Sequence, residues 1–133
     1  MVFFKKQFVH LFISACVGLI IIDGGGAIAS RMLNFDFSWL TIPSAILYVT
    51  FSFLVGKGMS KWNTIIATLF LGLFDVTFGW YLATILRANM TQVDFSKTPL
   101  IAVLISAVII CSVYMLTGLF GWWLANRNLK AVR

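Results

Sequence analysis

Four long apolar stretches, each bounded by charged residues, dominate the pattern of the chain. Their residue ranges are 7–30, 37–56, 62–86 and 98–126, which correspond to 24, 20, 25 and 29 residues. A helix needs about 20 mostly apolar residues to cross the hydrocarbon core of a bilayer. The pattern therefore predicts an all-α membrane protein with four transmembrane helices in one integral membrane domain, residues 1–133. The predicted spans are residues 8–29, 38–56, 62–86 and 99–124.

The composition supports a membrane protein and excludes several other classes. Hydrophobic residues make up 61% of the 133 residues, charged residues make up 11%, and the mean hydropathy is +0.99. A soluble domain is about 45–50% apolar and about 25% charged. The chain therefore lacks the polar surface of a soluble enzyme or a secreted disulfide scaffold. The net charge of +6 comes from short basic patches beside apolar runs, which favours contacts with anionic lipid over binding to nucleic acid.

The basic residues predict the orientation of the spans. Seven of the ten lysines and arginines lie in segments that this topology places on one side of the membrane, and three lie on the other side. The seven are Lys5, Lys6, Lys57, Lys61, Arg127, Lys130 and Arg133. Because short cytoplasmic loops are rich in basic residues, we expect a multi-pass protein of the cytoplasmic membrane with both termini in the cytoplasm.

The two predicted external loops resemble each other. Residues 32–38 match residues 90–96 at four of seven positions, which are methionine, aspartate, phenylalanine and serine. Each loop joins an outward span that contains one aspartate to an inward span that contains none. This favours two helical hairpins related by a parallel repeat, although interfacial loops are rich in these residue types without any duplication.

Asp75 lies near the middle of the third predicted span, where an ionisable side chain is costly unless it faces protein or water. It shares one helix face with a stripe of small and polar residues, namely Thr64, Thr68, Gly72, Gly79 and Ala83. Such a face lets another helix approach closely. Asp75 is therefore either a proton or cation site, or a protonated side chain that hydrogen bonds to a neighbouring helix.

Asp23 precedes three consecutive glycines, Gly24, Gly25 and Gly26, near the external end of the first span. Glycine is a poor helix former, so this segment has two interpretations. In one, the helix is unwound or closely packed there and its backbone lines a site. In the other, which we favour, the helix ends at Ile22 and Asp23 is a hydrated cap at the interface.

The remaining polar residues provide few candidates for ion pairs, metal ligands or catalytic groups. Arg31 and Arg87 lie on the same predicted side as Asp23 and are candidate ion-pair partners for it. One histidine, no glutamate, and two cysteines inside apolar runs do not provide a set of metal ligands. We therefore expect a protein that is not an enzyme, with no metal site and no cofactor.

Three function classes remain for this sequence, and a membrane enzyme comes last because an acid pair without a nucleophile, a metal set or clustered bases supports no reaction class. The first choice is a non-enzymatic accessory or interaction subunit of a membrane assembly, because polar features are few and small-residue faces suit contacts between helices. The alternative is a small oligomeric ion- or proton-coupled transporter or channel that uses Asp75 and possibly Asp23. The expected partners are the lipid bilayer and other membrane helices in a homo- or hetero-oligomer, with no nucleic acid.

Overall fold

The structure is a computed structural model that describes residues 6–89 and 99–127. The regular structure of these residues is entirely helical, and four helical segments are long and apolar enough to cross a membrane. We name them span 1 (Lys6–Leu33), span 2 (Phe37–Gly56), span 3 (Lys61–Ile85) and span 4 (Leu100–Arg127). The predicted all-α architecture with four apolar spans is confirmed.

Spans 2 and 3 are not regular α-helices throughout. Span 2 begins with a 3-10 turn, Phe37–Leu40, and continues as an α-helix over Thr41–Gly56. Span 3 is α-helical over Lys61–Phe74, π-helical over Asp75–Gly79, and α-helical again over Trp80–Ile85. A π-helical turn is rare and is often found at functional sites. Here it begins at the aspartate of the small-residue stripe.

Side-chain caps mark the starts of spans 2 and 3, at opposite ends of the bundle. Before span 2, Oδ1 of Asp36 accepts the backbone N–H of Ser38 at 2.8 Å. Before span 3, Oγ of Ser60 accepts the backbone N–H of Asn63 at 3.4 Å. Aspartate and serine are favoured caps because they satisfy N–H groups that have no partner within the helix. We call the two ends of the bundle the Asp36 end and the Lys57 end.

Spans 1 and 3 both stop through a residue in the left-handed region. Asn34 has φ 55° and Arg87 has φ 54°. The N–H of the next residue then reaches back to a helix carbonyl, from Phe35 to Ser30 at 3.2 Å and from Ala88 to Ala83 at 2.9 Å. These bonds satisfy carbonyls that would otherwise lack a partner at the helix end.

The structure corrects our preferred interpretation of the glycines in span 1. The helix does not end at Ile22; it is continuous through Gly24–Gly26 to Leu33, and Asp23 is buried inside the bundle. An apolar environment requires the backbone to satisfy its own hydrogen bonds, which overrides the low helix propensity of glycine. The missing side chain of Gly26 is used for packing, because a Cβ at that position would overlap the side chain of Leu40.

Spans 2 and 3 occupy the centre of the bundle. Span 4 packs along both of them, and span 1 packs on span 2 and on both halves of span 3. In the described residues, spans 1 and 4 do not pack on each other. Towards the Lys57 end the packing is close: a Cβ at Gly118 would lie 2.9 Å from Cα of Ile65. The hydroxyl groups of Ser52 and Thr68 are hydrogen bonded at 2.8 Å and join spans 2 and 3 at this level.

Asn89, which follows span 3, ties the Asp36 end of the bundle together. Its backbone N–H donates to Oγ of Ser30 at 3.1 Å, and its carbonyl accepts the N–H of Phe37 at 2.8 Å. Its side-chain amide donates to the carbonyl oxygen of Phe35 at 3.2 Å. These three bonds connect the end of span 3 to the segment between spans 1 and 2.

The proposed duplication stays a prediction. The first loop, residues 32–38, belongs to the described part of the chain, whereas residues 90–96 lie outside the described residues. The two loops therefore have no structural comparison, and the orientation of the termini also stays a prediction.

Candidate functional site

A cavity of about 750 Å³ runs from the Asp36 end into the middle of the bundle. At the Asp36 end it is lined by Asp36, Phe37 and Ser38, and in the interior it is lined by side chains from all four spans. Most of its wall is apolar. The apolar lining residues are Leu40, Ala45, Val49, Val76, Trp80, Ile109, Ile110 and Val113. Polar side chains line both parts of the cavity: Asp36, Ser38, Thr41 and Ser44 lie towards the opening, and Asp23, Tyr48, Asp75, Tyr114 and Thr117 lie in the interior.

The deep end holds two carboxyl groups that contact each other. Asp23 from span 1 is only 7% exposed, and its side chain is within hydrogen-bonding distance of Asp75 from span 3, which is half-buried. A hydrogen bond between two carboxyl groups requires a proton on at least one of them. We call these two residues the carboxyl pair.

Gly79 makes room for the carboxyl pair. A Cβ at this position would lie 3.0 Å from Oδ1 of Asp75 and would overlap Oδ2 of Asp23. Gly79 is the last residue of the π-helical turn that Asp75 begins. The turn thus places the carboxyl group of span 3 and the gap for the carboxyl group of span 1 side by side.

Two tyrosines complete the deep end of the cavity. The hydroxyl of Tyr114 from span 4 donates to Oδ2 of Asp75 at 3.5 Å, and its ring packs so closely on Gly72 that a Cβ there would overlap it. The ring of Tyr48 from span 2 lies 4.9 Å from that of Tyr114, between ring centroids. Tyr48 is only 4% exposed, and its hydroxyl, which lies near Asp75 and Tyr114, has no hydrogen-bond partner among the described residues.

The structure brings together only part of the predicted site. Asp23 and Asp75 meet, whereas Gly24, Gly25 and Gly26 do not line the cavity. The expectation of an ion pair between Asp23 and an arginine is wrong. Arg31 and Arg87 are exposed, and in residues 6–89 and 99–127 neither pairs with Asp23.

Distance explains why the arginines stay apart from the carboxyl pair. Arg31 lies eight residues beyond Asp23, which is about 12 Å along a helix. Arg87 follows the end of span 3 in the left-handed conformation, is exposed, and lies 12 residues beyond Asp75, which is about 18 Å along a helix.

The small-residue stripe of span 3 is buried at each of its five positions. The members are Thr64, Thr68, Gly72, Gly79 and Ala83. Different neighbours cover different parts of it: Ser52 of span 2 bonds to Thr68, the ring of Tyr114 covers Gly72, and the side chain of Asp23 lies against Gly79. Along the small-residue face of span 3, span 4 packs before Asp75 and span 1 packs after it, so Asp75 lies between the two contacts.

The sequence did not single out Tyr48 and Tyr114. Only three tyrosines occur in the chain, and these two lie well inside predicted spans. A hydroxyl group in an apolar environment needs a partner, so their depth was a usable signal. Their positions relative to Asp75 required knowledge of how the spans pack.

Asp36 is a third carboxylate, at the opening of the cavity. It is exposed, and the backbone N–H of Ser38 holds the pKa of its carboxyl group below the usual range. The opening therefore carries a negative charge at neutral pH.

The polar groups of the cavity suit the binding of protons and cations. In the described part of the chain, no group of three or more histidine, cysteine or acidic side chains is arranged to hold a metal ion. The chain matches no protein-family model, no curated protein and no solved structure.

Proposed function

We propose that the chain is a small proton-coupled membrane transporter in which the carboxyl pair binds and releases protons. The observation that carries this proposal is the position of the pair at the deep end of a cavity of about 750 Å³. An acidic side chain that only joins two helices needs no cavity beside it. Acidic groups at such a depth usually mark ion or proton pathways.

The contact between the two carboxyl groups suits reversible proton binding. Two carboxylates in contact repel each other, and the surrounding apolar wall disfavours net charge. The pair therefore holds at least one proton, and the second proton is the one that can be exchanged. Tyr114 donates to Asp75 and stabilises the form of the pair that carries a negative charge.

The two ends of the bundle differ in a way that supports a transporter over an open channel. The cavity reaches the Asp36 end, whereas spans 2, 3 and 4 pack closely towards the Lys57 end. There, the side-chain amide of Asn126 donates to the carbonyl oxygen of Gly56 at 3.2 Å. A site that is open on one side and closed on the other is a state expected for alternating access.

The location and orientation belong to the same proposal. With seven basic residues on the side of Lys57 and three on the other, we infer that the Lys57 end and both termini face the cytoplasm. The cavity then opens to the outside of the cytoplasmic membrane, and it holds a substrate or a proton without enzymatic chemistry.

Currents after a pH jump test the proton-binding role directly. Proteoliposomes on a solid-supported membrane give a transient current when a transporter binds or releases protons. We expect this current for the wild-type protein and its loss in the double variant Asp23→Asn/Asp75→Asn. The double change is needed because the structure places a second carboxyl group beside Asp75, so that Asp75→Asn alone leaves one proton-binding group.

Thr84→Val is the matched control for this experiment. Thr84 lies on the same span outside the π-helical turn, is exposed and does not line the cavity, and its hydroxyl donates to the backbone carbonyl of Trp80 in its own helix. It should keep the wild-type current. Identical currents from the wild-type protein and a folded double Asn variant would show that the pair does not exchange protons.

A second function, as an interaction subunit, is favoured by the first half of span 4. Leu100, Ile101, Leu104, Ile105 and Val108 are each more than half exposed. Another membrane helix would bury this face, in a homo- or hetero-oligomer. Purification in mild detergent separates the proposals, since an obligatory subunit should carry a second membrane protein in fixed stoichiometry.

A further inference from the structure

We propose that the cavity binds a compact hydrophobic amine in its ammonium form, with the N–H groups donated to the carboxyl pair and to the hydroxyl oxygen of Tyr48. This inference deepens the proposed function, because the bound amine would replace the exchangeable proton of the pair. Its own basis is the combination of an apolar cavity, two carboxyl groups and one buried hydroxyl without a partner.

The hydroxyl of Tyr48 points to a ligand that supplies a hydrogen-bond donor. A buried polar group without a partner is destabilising, and such groups are few in folded proteins. Tyr48 lines the cavity, and among the described residues the polar groups nearest to its hydroxyl are the hydroxyl of Tyr114 and the carboxyl group of Asp75. An ammonium group has three N–H donors, which is enough for Asp23, Asp75 and Tyr48 together.

The charges around the deep end select a cation. The titratable groups that face it are Asp23 of span 1, Tyr48 of span 2, Asp75 of span 3 and Tyr114 of span 4, with Asp36 at the opening. Among the described residues that line the cavity, none is a lysine, an arginine or a histidine. An anion would therefore find no opposite charge, and a neutral compound would gain no charge pairing with a carboxylate of the pair.

The apolar wall and the volume set the kind of amine. Cavities of about 300–1,000 Å³ bind drug-sized molecules, and this cavity of about 750 Å³ falls within that range. Trp80, Ile109, Ile110 and Val113 offer apolar contacts between the opening and the carboxyl pair. A compact hydrocarbon body with one amino group matches this distribution of polar and apolar surface.

The exchange balances one proton against one cation. In the proposed exchange, the pair carries two protons when the cavity is empty and is then neutral in its apolar surroundings. When the ammonium ion binds, one carboxyl group loses its proton to water, and the charges of the carboxylate and the ammonium group cancel. The amine keeps its own proton, and no covalent bond to carbon or nitrogen forms or breaks. Binding should therefore release one proton and strengthen about tenfold for each pH unit gained.

Four probes of the same shape test the inference. They are 1-adamantylamine, its N,N,N-trimethylammonium analogue, 1-adamantanol and adamantane-1-carboxylate, measured by titration calorimetry on the protein in nanodiscs, with empty nanodiscs subtracted. The primary amine should bind most tightly, and buffers of different ionisation enthalpy should report one released proton. Equal binding of all four probes, or tighter binding of the carboxylate, would overturn the proposal.

Tyr48→Phe tests the role of the hydroxyl separately from the fold. Since that hydroxyl has no hydrogen-bond partner in residues 6–89 and 99–127, its removal should not lower the thermal stability of the protein. Affinity for the primary amine should fall about tenfold or more, which is the value of one hydrogen bond to a charged group. Affinity for the trimethylammonium analogue, which has no N–H donor, should stay the same. An equal loss for both cations would refute the bond to Tyr48.

The outcomes for the amine and for the proton currents are independent. Proton currents without binding of 1-adamantylamine would overturn the ligand class and leave the transporter proposal standing. Binding with release of a proton, but without currents from the wild-type protein, would overturn transport and leave the amine site standing. The double variant Asp23→Asn/Asp75→Asn should lose both.

Discussion

Gly79 offers the sharpest test of how the bundle accommodates two carboxyl groups. Gly79→Ala adds a single methyl group, whose carbon would lie 3.0 Å from Oδ1 of Asp75 and 3.2 Å from the carboxyl carbon of Asp23. Both neighbours are buried or half-buried. The added methyl group must therefore push the carboxyl groups apart or move span 1 away from span 3.

The expected magnitude follows from opposing terms. Alanine is favoured over glycine in a helix by up to about 1 kcal/mol. Overpacking of a buried site costs about 1–3 kcal/mol, and a lost interhelical hydrogen bond costs about 1 kcal/mol more. We expect Gly79→Ala to lower the free energy of unfolding by about 1–3 kcal/mol, because the unfavourable terms are larger.

Gly25→Ala is the matched comparison within a span. Gly25 is also helical, but it is exposed, and a Cβ there would meet nothing within 4 Å. The only expected effect is the higher helix propensity of alanine. This variant should therefore be as stable as wild type or more stable by up to about 1 kcal/mol. Unfolding in mixed micelles, followed by far-ultraviolet circular dichroism, measures both variants. Equal stability of the two would refute the close contact of Asp23 and Asp75 with Gly79.

Three further predictions follow from the ends of the spans. Arg87→Gly should stabilise the protein by about 1 kcal/mol in the same unfolding assay, because glycine adopts a positive φ without the penalty that arginine has; an unchanged or lower stability would contradict this. Asp36 should titrate, by NMR of its carboxyl carbon, below the ordinary value of about 3.9, because the N–H of Ser38 favours the charged form. Its stabilising contribution should be present above that ordinary value and be lost as the pH falls through the lowered pKa; Ser38→Pro, which lacks the N–H, should move the midpoint up. Single cysteines at positions 36 and 57, in a background without native cysteines, should be labelled from outside intact cells at 36 and not at 57. The reverse pattern would invert the proposed orientation.

The number and positions of the spans could be predicted because charge is so sparse in this chain. With 11% charged residues, most charges lie at the ends of the apolar stretches and mark their boundaries. The small-residue face of span 3 could be recognised for a similar reason, since Thr64, Thr68 and Gly72 interrupt an otherwise aliphatic and aromatic helix. The charged boundaries and the small-residue face can both be read from the residues of one span, without knowledge of how the spans pack.

The conformation around Asp23 could not be predicted from local propensity. Three consecutive glycines favour the end of a helix in water, but a bilayer offers the backbone no alternative partners. The relative rotation of spans 1 and 3, which brings Asp23 to Asp75, depends on contacts such as Gly26 with Leu40. Span 1 is apolar on almost every side, so no alternation of polar and apolar positions in its sequence marks the face that makes these contacts.

The π-helical turn of span 3 changes which side of the helix its two halves present. An α-helix rotates by about 100° for each residue, whereas a π-helical turn accommodates one additional residue with little added length. The half that begins at Trp80 is therefore offset in rotational phase from the half that ends at Phe74. An uninterrupted α-helix of the same length would rotate the half that begins at Trp80 by about 100° and turn Ala83 away from the bundle, although the composition of the span would not change.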